Sequence, residues 1–355
     1  MSPIYNQLLL PYIIAMVLAI TMGGSGTAPA FSASYGANVI RKSLIPGIFG
    51  IAVFLGAFIA GKNTATTMGS GILSANYMTF TIVSISLFSV AITLLIANIS
   101  GIPQSTSQAA VLSIAASALY FNKLDTDKLF LEIIPAWFIL PIISYVLSYL
   151  CGKYIYKPMR RRGLTMLRAQ NENLKPIWNS ILILMSIYVS FAIGSNNVAN
   201  AAGPIASMTI NELGLQNEND FMVILILSSL IVAPCFGIGS SLFGYKIVKN
   251  TGKEIILFGK FEAVIIAFIS GSLLLLASLT KGIPSSLVQV NVAAILGIGV
   301  AKMGPKNIFR KTQVKRFFMM WMIAPIISFC LSLLLTYLAD IMGFIPNHAG
   351  VVSAW

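Results

Sequence analysis

Apolar residues run along this chain in ten segments separated by short polar loops. They lie near 4–36, 44–61, 77–97, 105–121 and 132–151, then 177–210, 221–244, 255–279, 285–301 and 317–343. At about 20 residues per membrane-crossing helix, this pattern predicts an all-α polytopic membrane protein. Two of the segments are long and interrupted, which brings the expectation to 10–12 helical crossings, some of them broken or re-entrant. No polar stretch exceeds about 25 residues, too little for an extramembrane domain of ordinary size.

Composition agrees with the pattern. Of 355 residues, 57% are apolar and 9% charged, and the mean hydropathy is +0.87. A soluble domain carries about 25% charged residues, so soluble enzymes, disordered regulators and secreted disulfide scaffolds are excluded. Cys151, Cys235 and Cys330 are scattered, with neither disulfide nor metal-ligand spacing. No Lys or Arg precedes Arg41, so residues 1–22 are expected to be a retained helix rather than a cleaved signal peptide.

The net charge of +13 would suggest nucleic acid in a soluble protein; here it points to cytoplasmic loops, and no nucleic-acid partner is expected. The most basic connection, 152–176, carries Lys153, Lys157, Arg160, Arg161, Arg162, Arg168 and Lys175 and is placed inside. Alternating from it puts Arg41 and Lys42, Lys246 to Lys253, and Lys302 to Arg316 inside as well. Eighteen of the 23 basic residues then lie inside, against two clearly internal acids, Glu172 and Glu254. Both termini come out external.

The chain also repeats itself. Trp137-Phe-Ile-Leu-Pro141-Ile-Ile-Ser144 returns as Trp321-Met-Ile-Ala-Pro325-Ile-Ile-Ser328, an offset of 184. Gly101-Ile-Pro103-Gln-Ser105 returns as Gly282-Ile-Pro284-Ser-Ser286, an offset of 181, and Gly61 and Gly69 return as Gly244 and Gly252, an offset of 183. Each half has five segments, an odd number, so the halves insert with opposite orientation. That is the plan of secondary transporters that hold substrate near the midplane at broken helices. The expected organisation is a first inverted repeat over 1–151, a basic cytoplasmic linker over 152–176, a second repeat over 177–345 and an external tail over 346–355.

Polar residues cluster within the apolar segments. Gly194-Ser195-Asn196-Asn197-Val198-Ala199-Asn200, followed by Gly203-Pro204, predicts unwound backbone, which at membrane depth must be buried in protein or line a wet cavity. Amides donate and accept without net charge; the bland alternative for them is interhelical hydrogen bonding. The matching stretch of the first half, Gly23-Gly24-Ser25-Gly26-Thr27-Ala28-Pro29, is expected to break its helix too. The other pair is Gln104-Ser105-Thr106-Ser107-Gln108 and Ser285-Ser286-Leu287-Val288-Gln289. Each follows a Pro, with Ser where a helix N-cap belongs, and helix N-termini bind tetrahedral anions.

These residues resemble a known family. Gly194-Ser-Asn-Asn-Val-Ala-Asn-Ala is similar to the GANDVANA signature of the inorganic phosphate transporter (PiT) family. The two Gly-Ile-Pro-x-Ser stretches are similar to its paired GLPVSTTH motifs. The resemblance covers almost the whole chain and is nearest to the CysP-type sulfate permease branch, through the Gly-Ser-Gly and Asn-Asn motifs and Gly297-Ile-Gly-Val-Ala-Lys302-Met-Gly304-Pro305. The departures matter. The motif Asp becomes Asn197 and, by alignment of the halves, Thr27; the motif His becomes Gln108 and Gln289. The resemblance implies that those acids help bind sodium and protonated phosphate. Phosphate near neutral pH has a proton to give a carboxylate, whereas sulfate has none and would face an unpaired, repelling acceptor. Neutral groups therefore suit sulfate, with sodium-coupled phosphate symport as the alternative.

The expected function is import of sulfate, or a related tetrahedral oxyanion, by cation-coupled symport and alternating access across the cell membrane. The substrate-binding residues would be Ser25, Gly26, Thr27, Asn196, Asn197, Asn200, Ser105, Thr106, Ser107, Ser285 and Ser286. Moving a dianion inward against a negative-inside potential costs about 2.3 kcal/mol per charge per 100 mV, so a co-transported Na+ or H+ is needed and no other cofactor or metal. The candidates for handling it are Gln108, Gln289 and Glu262, the intramembrane carboxylate, whose alternative role is an interfacial pair with Lys260. Lone His348 sits in the tail. An intramembrane enzyme would need a carboxylate pair, a metal-binding set or a Ser/Lys dyad at depth, and a selective anion pore rings of Arg or Lys; the sequence has neither. The partners to consider are membrane lipid, which surrounds such a protein, and a second copy of the chain in a homodimer.

Overall fold

Within lipid, backbone N–H and C=O groups can only bond to one another, so a long apolar run that enters the bilayer folds as helix. The computed structural model describes residues 3–100, 104–161, 175–215, 218–245, 248 and 259–345. The principal helices are α1 (Pro3–Gly36), α2 (Ile45–Ala60), α3 (Phe80–Ser100), α4 (Thr106–Tyr120) and α5 (Ile134–Leu150). Then follow α6 (Lys175–Asn197), α7 (Ala199–Leu213), α8 (Glu218–Gly239), α9 (Lys260–Lys281), α10 (Leu287–Met303) and α11 (Thr312–Ile341). All ten apolar segments thus contain a helix, and the described residues form no strand beyond an isolated bridge between Leu73 and Leu124. Glu172, Glu254, Arg162, Arg168, Lys246, Lys249, Lys253, the Gly101–Pro103 motif, Gly252 and the 346–355 tail lie outside the described residues.

Among the described residues, eight helical stretches are long and apolar enough to cross a membrane, against the ten to twelve expected. The difference lies in α4 and α10. At 15 and 17 residues they rise about 22 and 25 Å, short of the roughly 30 Å hydrocarbon core. They are also the most enclosed helices: every residue of α10 from Leu287 to Val300 is buried.

The two interrupted segments behave differently. The Asn-rich one is interrupted only at Val198, between α6 and α7, and Val198 keeps helical dihedrals (φ −60°, ψ −34°), so the expected unwinding is reduced to a single-residue turn. The Gly23–Pro29 stretch is not interrupted: α1 continues through it to Gly36, with Pro11 and Pro29 inside the helix. Its glycines permit close packing instead. A Cβ on Gly23 would stand 2.2 Å from the carbonyl oxygen of Phe236 in α8. Ser25 and Thr27 turn their hydroxyls back onto the helix, donating to the carbonyls of Met22 (3.0 Å) and Gly23 (2.7 Å). The proline still leaves a mark, because Pro29 has no N–H for the carbonyl of Ser25 four residues earlier. Pro204 in α7 does the same to the carbonyl of Asn200.

The short helices cross between the halves. α10 packs chiefly on α5, and α4 chiefly on α11. Ser144 of α5 donates to the carbonyl of Val290 in α10 (2.7 Å), and Ser328 of α11 donates to the carbonyl of Ala109 in α4 (3.0 Å). Ser144 and Ser328 are counterparts at the offset of 184, Ala109 and Val290 at 181. The outer faces match as well: Phe138 and Ile142 of α5 and their counterparts Met322 and Ile326 of α11 are all more than half exposed, as side chains facing lipid would be.

Candidate functional site

Both short helices begin at serines that cap them. Ser105 accepts from the backbone N–H of Gln108 and Ser286 from that of Gln289, each at 3.3 Å. Two residues in each motif therefore carry local structure, and their starts are brought together with the end of α6 and the middle of α1. Between them lies a small cavity lined by Ser25, Gly26, Gln104, Thr106, Asn197 and Ser286, with Pro29, Leu287 and Val288. Its volume is about 10 Å3, room for no more than about one water molecule. No described lining side chain bears a charge.

The three asparagines do different things. Asn196 is fully committed to the chain. Its Nδ2 donates to Ser278 Oγ (2.8 Å) and to the carbonyl of Ile283 (2.9 Å), and its Oδ1 accepts from the N–H of Ser285 (2.9 Å) and from Ser107 Oγ (3.4 Å). That uses the two donors and two lone pairs of an amide. Asn196 thus fastens the loop before α10 to α6, α9 and α4. Asn197, one residue on, donates to Thr106 Oγ1 (3.3 Å) and lines the cavity. Asn200 donates to Ser107 Oγ (3.1 Å).

Several buried side-chain oxygens have no protein partner: Asn197 Oδ1, Asn200 Oδ1 and Gln104 Oε1. The orientation of Gln104 is fixed, because its Nε2 donates to the carbonyl of Thr93 (3.4 Å), which can only accept. Buried acceptors without a donor cost about 1–3 kcal/mol each and are usual only where a ligand, ion or water completes them.

Gln108 and Gln289 meet each other. Gln108 Nε2 donates to Gln289 Oε1 at 3.0 Å, and Gln289 Nε2 donates to Gln108 Oε1 at 2.7 Å. Glu262 lies elsewhere. It is 2% exposed and sits in the first turn of α9, where its Oε2 accepts from the N–H of Gly259 (2.8 Å) and its Oε1 pairs with Lys302 Nζ (2.7 Å). The pairing with Lys260 is therefore corrected: Lys260 donates to Asn179 Oδ1 instead. Glu262 in a first turn favours the positive end of the helix, and Lys302 at the far end of α10 is the cation within reach.

Of the sequence candidates, Ser25, Gly26, Thr106, Asn197 and Ser286 line the cavity. Ser105, Ser107, Asn196, Asn200 and Ser285 form the layer that positions them. Thr27 faces a second, larger cavity. Two residues were not singled out by sequence. Gln104 stands beside the capped serine in a run of polar residues and could have been chosen. Ser278 sits alone in the apolar run of α9, with no local signal.

The residue profile of the phosphate transporter family matches residues 22–332. The chain belongs to that family. It is 28% identical over 327 residues to the sulfate permease CysP of Bacillus subtilis, covering 92% of this chain and 86% of that protein. It is 25% identical to a putative phosphate permease of Pyrococcus horikoshii, over 91% of this chain and 95% of that one. Among solved structures, the sodium-dependent phosphate transporter superposes with a TM-score of 0.80, over 95% of this chain and 100% of that chain, at 20% identity. The family and the eight apolar helical stretches make this phosphate transporter family member a multi-pass membrane protein. Its relatives are named as permeases and transporters rather than enzymes.

Proposed function

We propose that this protein imports sulfate, or a closely similar fully ionised tetrahedral oxyanion, by cation-coupled symport with alternating access. The observation that carries the reading is the neutrality of the cavity: Ser25, Gln104, Thr106, Asn197 and Ser286 surround it, and no carboxylate is there to receive a proton from the substrate. A carboxylate would suit hydrogen phosphate and repel sulfate. The kinship with a sulfate permease supports the same substrate. The names of the putative phosphate permeases and of the structural relative favour a second reading, sodium-coupled phosphate symport on the same frame.

In this mechanism the anion sits among Ser25, Gly26, Thr106, Asn197 and Ser286 once the cavity, closed here to about the size of one water, widens at the starts of α4 and α10, where backbone N–H groups carry partial positive charge. The layer of Ser105, Ser107, Asn196, Asn200 and Ser285 holds that arrangement, while Thr27 faces the second cavity. Neutral donors allow release as well as capture. The unpartnered oxygens of Gln104, Asn197 and Asn200 offer a sodium ion neutral ligands. Glu262 is the group through which a proton would couple, by releasing Lys302 on protonation, and the Gln108–Gln289 pair joins the moving halves.

The halves, 1–151 and 177–345, are inverted repeats joined by the cytoplasmic 152–176 linker, with both termini external. The reciprocal bonds of Ser144 and Ser328 support a two-fold relation between them. Uptake of radiolabelled sulfate into proteoliposomes tests the function, with phosphate, thiosulfate and molybdate as competitors. Separate sodium and proton gradients name the coupling ion. Sulfate uptake resistant to excess phosphate supports the reading; phosphate uptake that excess sulfate does not inhibit would sink it.

A further inference from the structure

A second cavity, of about 580 Å3, opens between α1, the turn preceding α2, and the end of α8. Its polar lining includes Thr27, Tyr35, Lys42, Ser43, Ser240 and Tyr245. Three features set it apart from an ordinary interhelical gap. Among the described lining residues the one full charge is Lys42, and no described carboxylate pairs with it. The Lys42 ammonium stands 3.8 Å from the centre of the Tyr245 ring, which Tyr35 meets edge-on at 6.0 Å. An aromatic face steadies an ammonium without neutralising it, so the charge remains available to an anion. Ser240 is 4% exposed, and its Oγ has no hydrogen-bond partner among the described residues. A buried hydroxyl that lines a cavity and bonds to nothing lacks the partner that such groups nearly always have.

The backbone around Ser240 is itself irregular. Residues Ser240–Gly244 form a π-helical turn at the end of α8, and such turns collect at functional positions. The cavity reaches Thr27, while Ser25 and Gly26 line the small neutral cavity. One stretch of α1 therefore separates the two spaces.

We propose that this larger cavity is a second oxyanion site, in which Lys42 and Ser240 hold a sulfate- or phosphate-like group beside the central one. It lies on the side that the basic loops assign to the cytoplasm. The identity of the group as transported substrate rests on the sulfate reading above; the site itself rests on Lys42, Ser240 and the cavity. The same chemistry is carried by a free inorganic anion and by the headgroup of an anionic lipid.

The test is equilibrium binding of radiolabelled sulfate to the purified full chain in phosphatidylcholine nanodiscs. Wild type is expected to bind two sulfates per chain, and Lys42→Gln one. Lys42→Arg keeps both, and Ser240→Ala weakens the Lys42-dependent site by about tenfold, the loss of one hydrogen bond to a charged group. Asn197→Ala, in the central cavity, removes the other sulfate. The sulfate that Lys42→Gln retains shows that the variant is folded. If wild type binds a single sulfate and Lys42→Gln binds none, the central reading fails while this site stands. Identical binding by wild type and Lys42→Gln overturns the site. Adding phosphatidylglycerol separates the two sources: displacement of the Lys42-dependent sulfate assigns the site to a lipid headgroup, and retention assigns it to the free anion.

Discussion

Gln108 and Gln289, 181 residues apart, hold each other through two reciprocal amide hydrogen bonds in the buried interior. Each is the fourth residue of its motif from the capping serine, counting that serine as the first. Reciprocal contacts of this kind are what a two-fold interface would produce, in keeping with the proposed inverted repeats. The pair joins α4 to α10 with groups that do not titrate, so the link is the same at every physiological pH.

Replacing one partner should therefore be worse than replacing both. Gln108→Leu leaves the Gln289 amide buried with an unmet donor and acceptor, a loss of about 1–3 kcal/mol. The double variant with Gln289→Leu should recover part of that loss. Thermal unfolding of the four purified forms gives the coupling energy directly; strictly additive losses would contradict a direct pair.

Neighbouring asparagines should separate stability from transport. Asn196→Ala abandons the N–H of Ser285 and the carbonyl of Ile283, and should cost at least about 2 kcal/mol of stability along with uptake. Asn197→Ala deletes one long hydrogen bond and should reduce uptake with little shift in melting temperature. Parallel melting curves and uptake assays decide; equal destabilisation by the two would remove the distinction. Ser105→Ala, which loses an N-cap, should fall between them at about 1 kcal/mol.

Asn197→Asp restores an acid to the neutral cavity. Sulfate uptake should fall by about tenfold or more, the equivalent of one unit of charge-state preference, while phosphate becomes the better competitor. Competition curves at neutral pH measure the exchange. Unchanged selectivity would mean that this position does not face the anion.

The Glu262–Lys302 pair is buried on its acidic side, and removal of one member of such a pair costs about 3–5 kcal/mol. Lys302→Met should thus lower the melting temperature sharply, and Glu262→Gln, which keeps the first-turn acceptor, less so. If protons couple through Glu262, Glu262→Gln should abolish uptake driven by a proton gradient. Uptake driven by a sodium gradient would persist only if sodium also couples. Uptake by this variant that still follows the proton gradient would remove Glu262 from the coupling step.

The helices were legible because lipid leaves a long apolar run one way to satisfy its backbone, and all ten segments contain one. The motifs were legible as polar clusters, but their division of labour was not. Asn196 and Asn197 are the same residue at adjacent positions, turned about 100° apart around a helix. One is consumed by Ser278, Ile283, Ser285 and Ser107, and the other faces the cavity. Local sequence holds nothing that distinguishes them. The glycines of residues 23–26 misled in a different way. Glycine serves equally to end a helix and to let two helices touch, and only the position of Phe236 shows that Gly23 does the second. Gly194 is the same case, since its added Cβ would stand 2.0 Å from the carbonyl oxygen of Val53 in α2.

The crossed packing of the short helices has a consequence for how the protein is made. α4 finds its main packing partner in α11, and α11 begins about 190 residues after α4 ends. At ribosomal speed that is on the order of 10–40 s of synthesis. Throughout that interval a helix too short to span the bilayer, beginning with Thr106 and Ser107, is covered from its own half by α3, where Ser113 donates to the carbonyl of Ser86 (2.9 Å), and lacks its main partner. The nascent first half must wait, incompletely packed, for the last helix to emerge, so a chain truncated before residue 312 leaves α4 held by α3 alone on that side, while a chain reaching 341 covers it with α11.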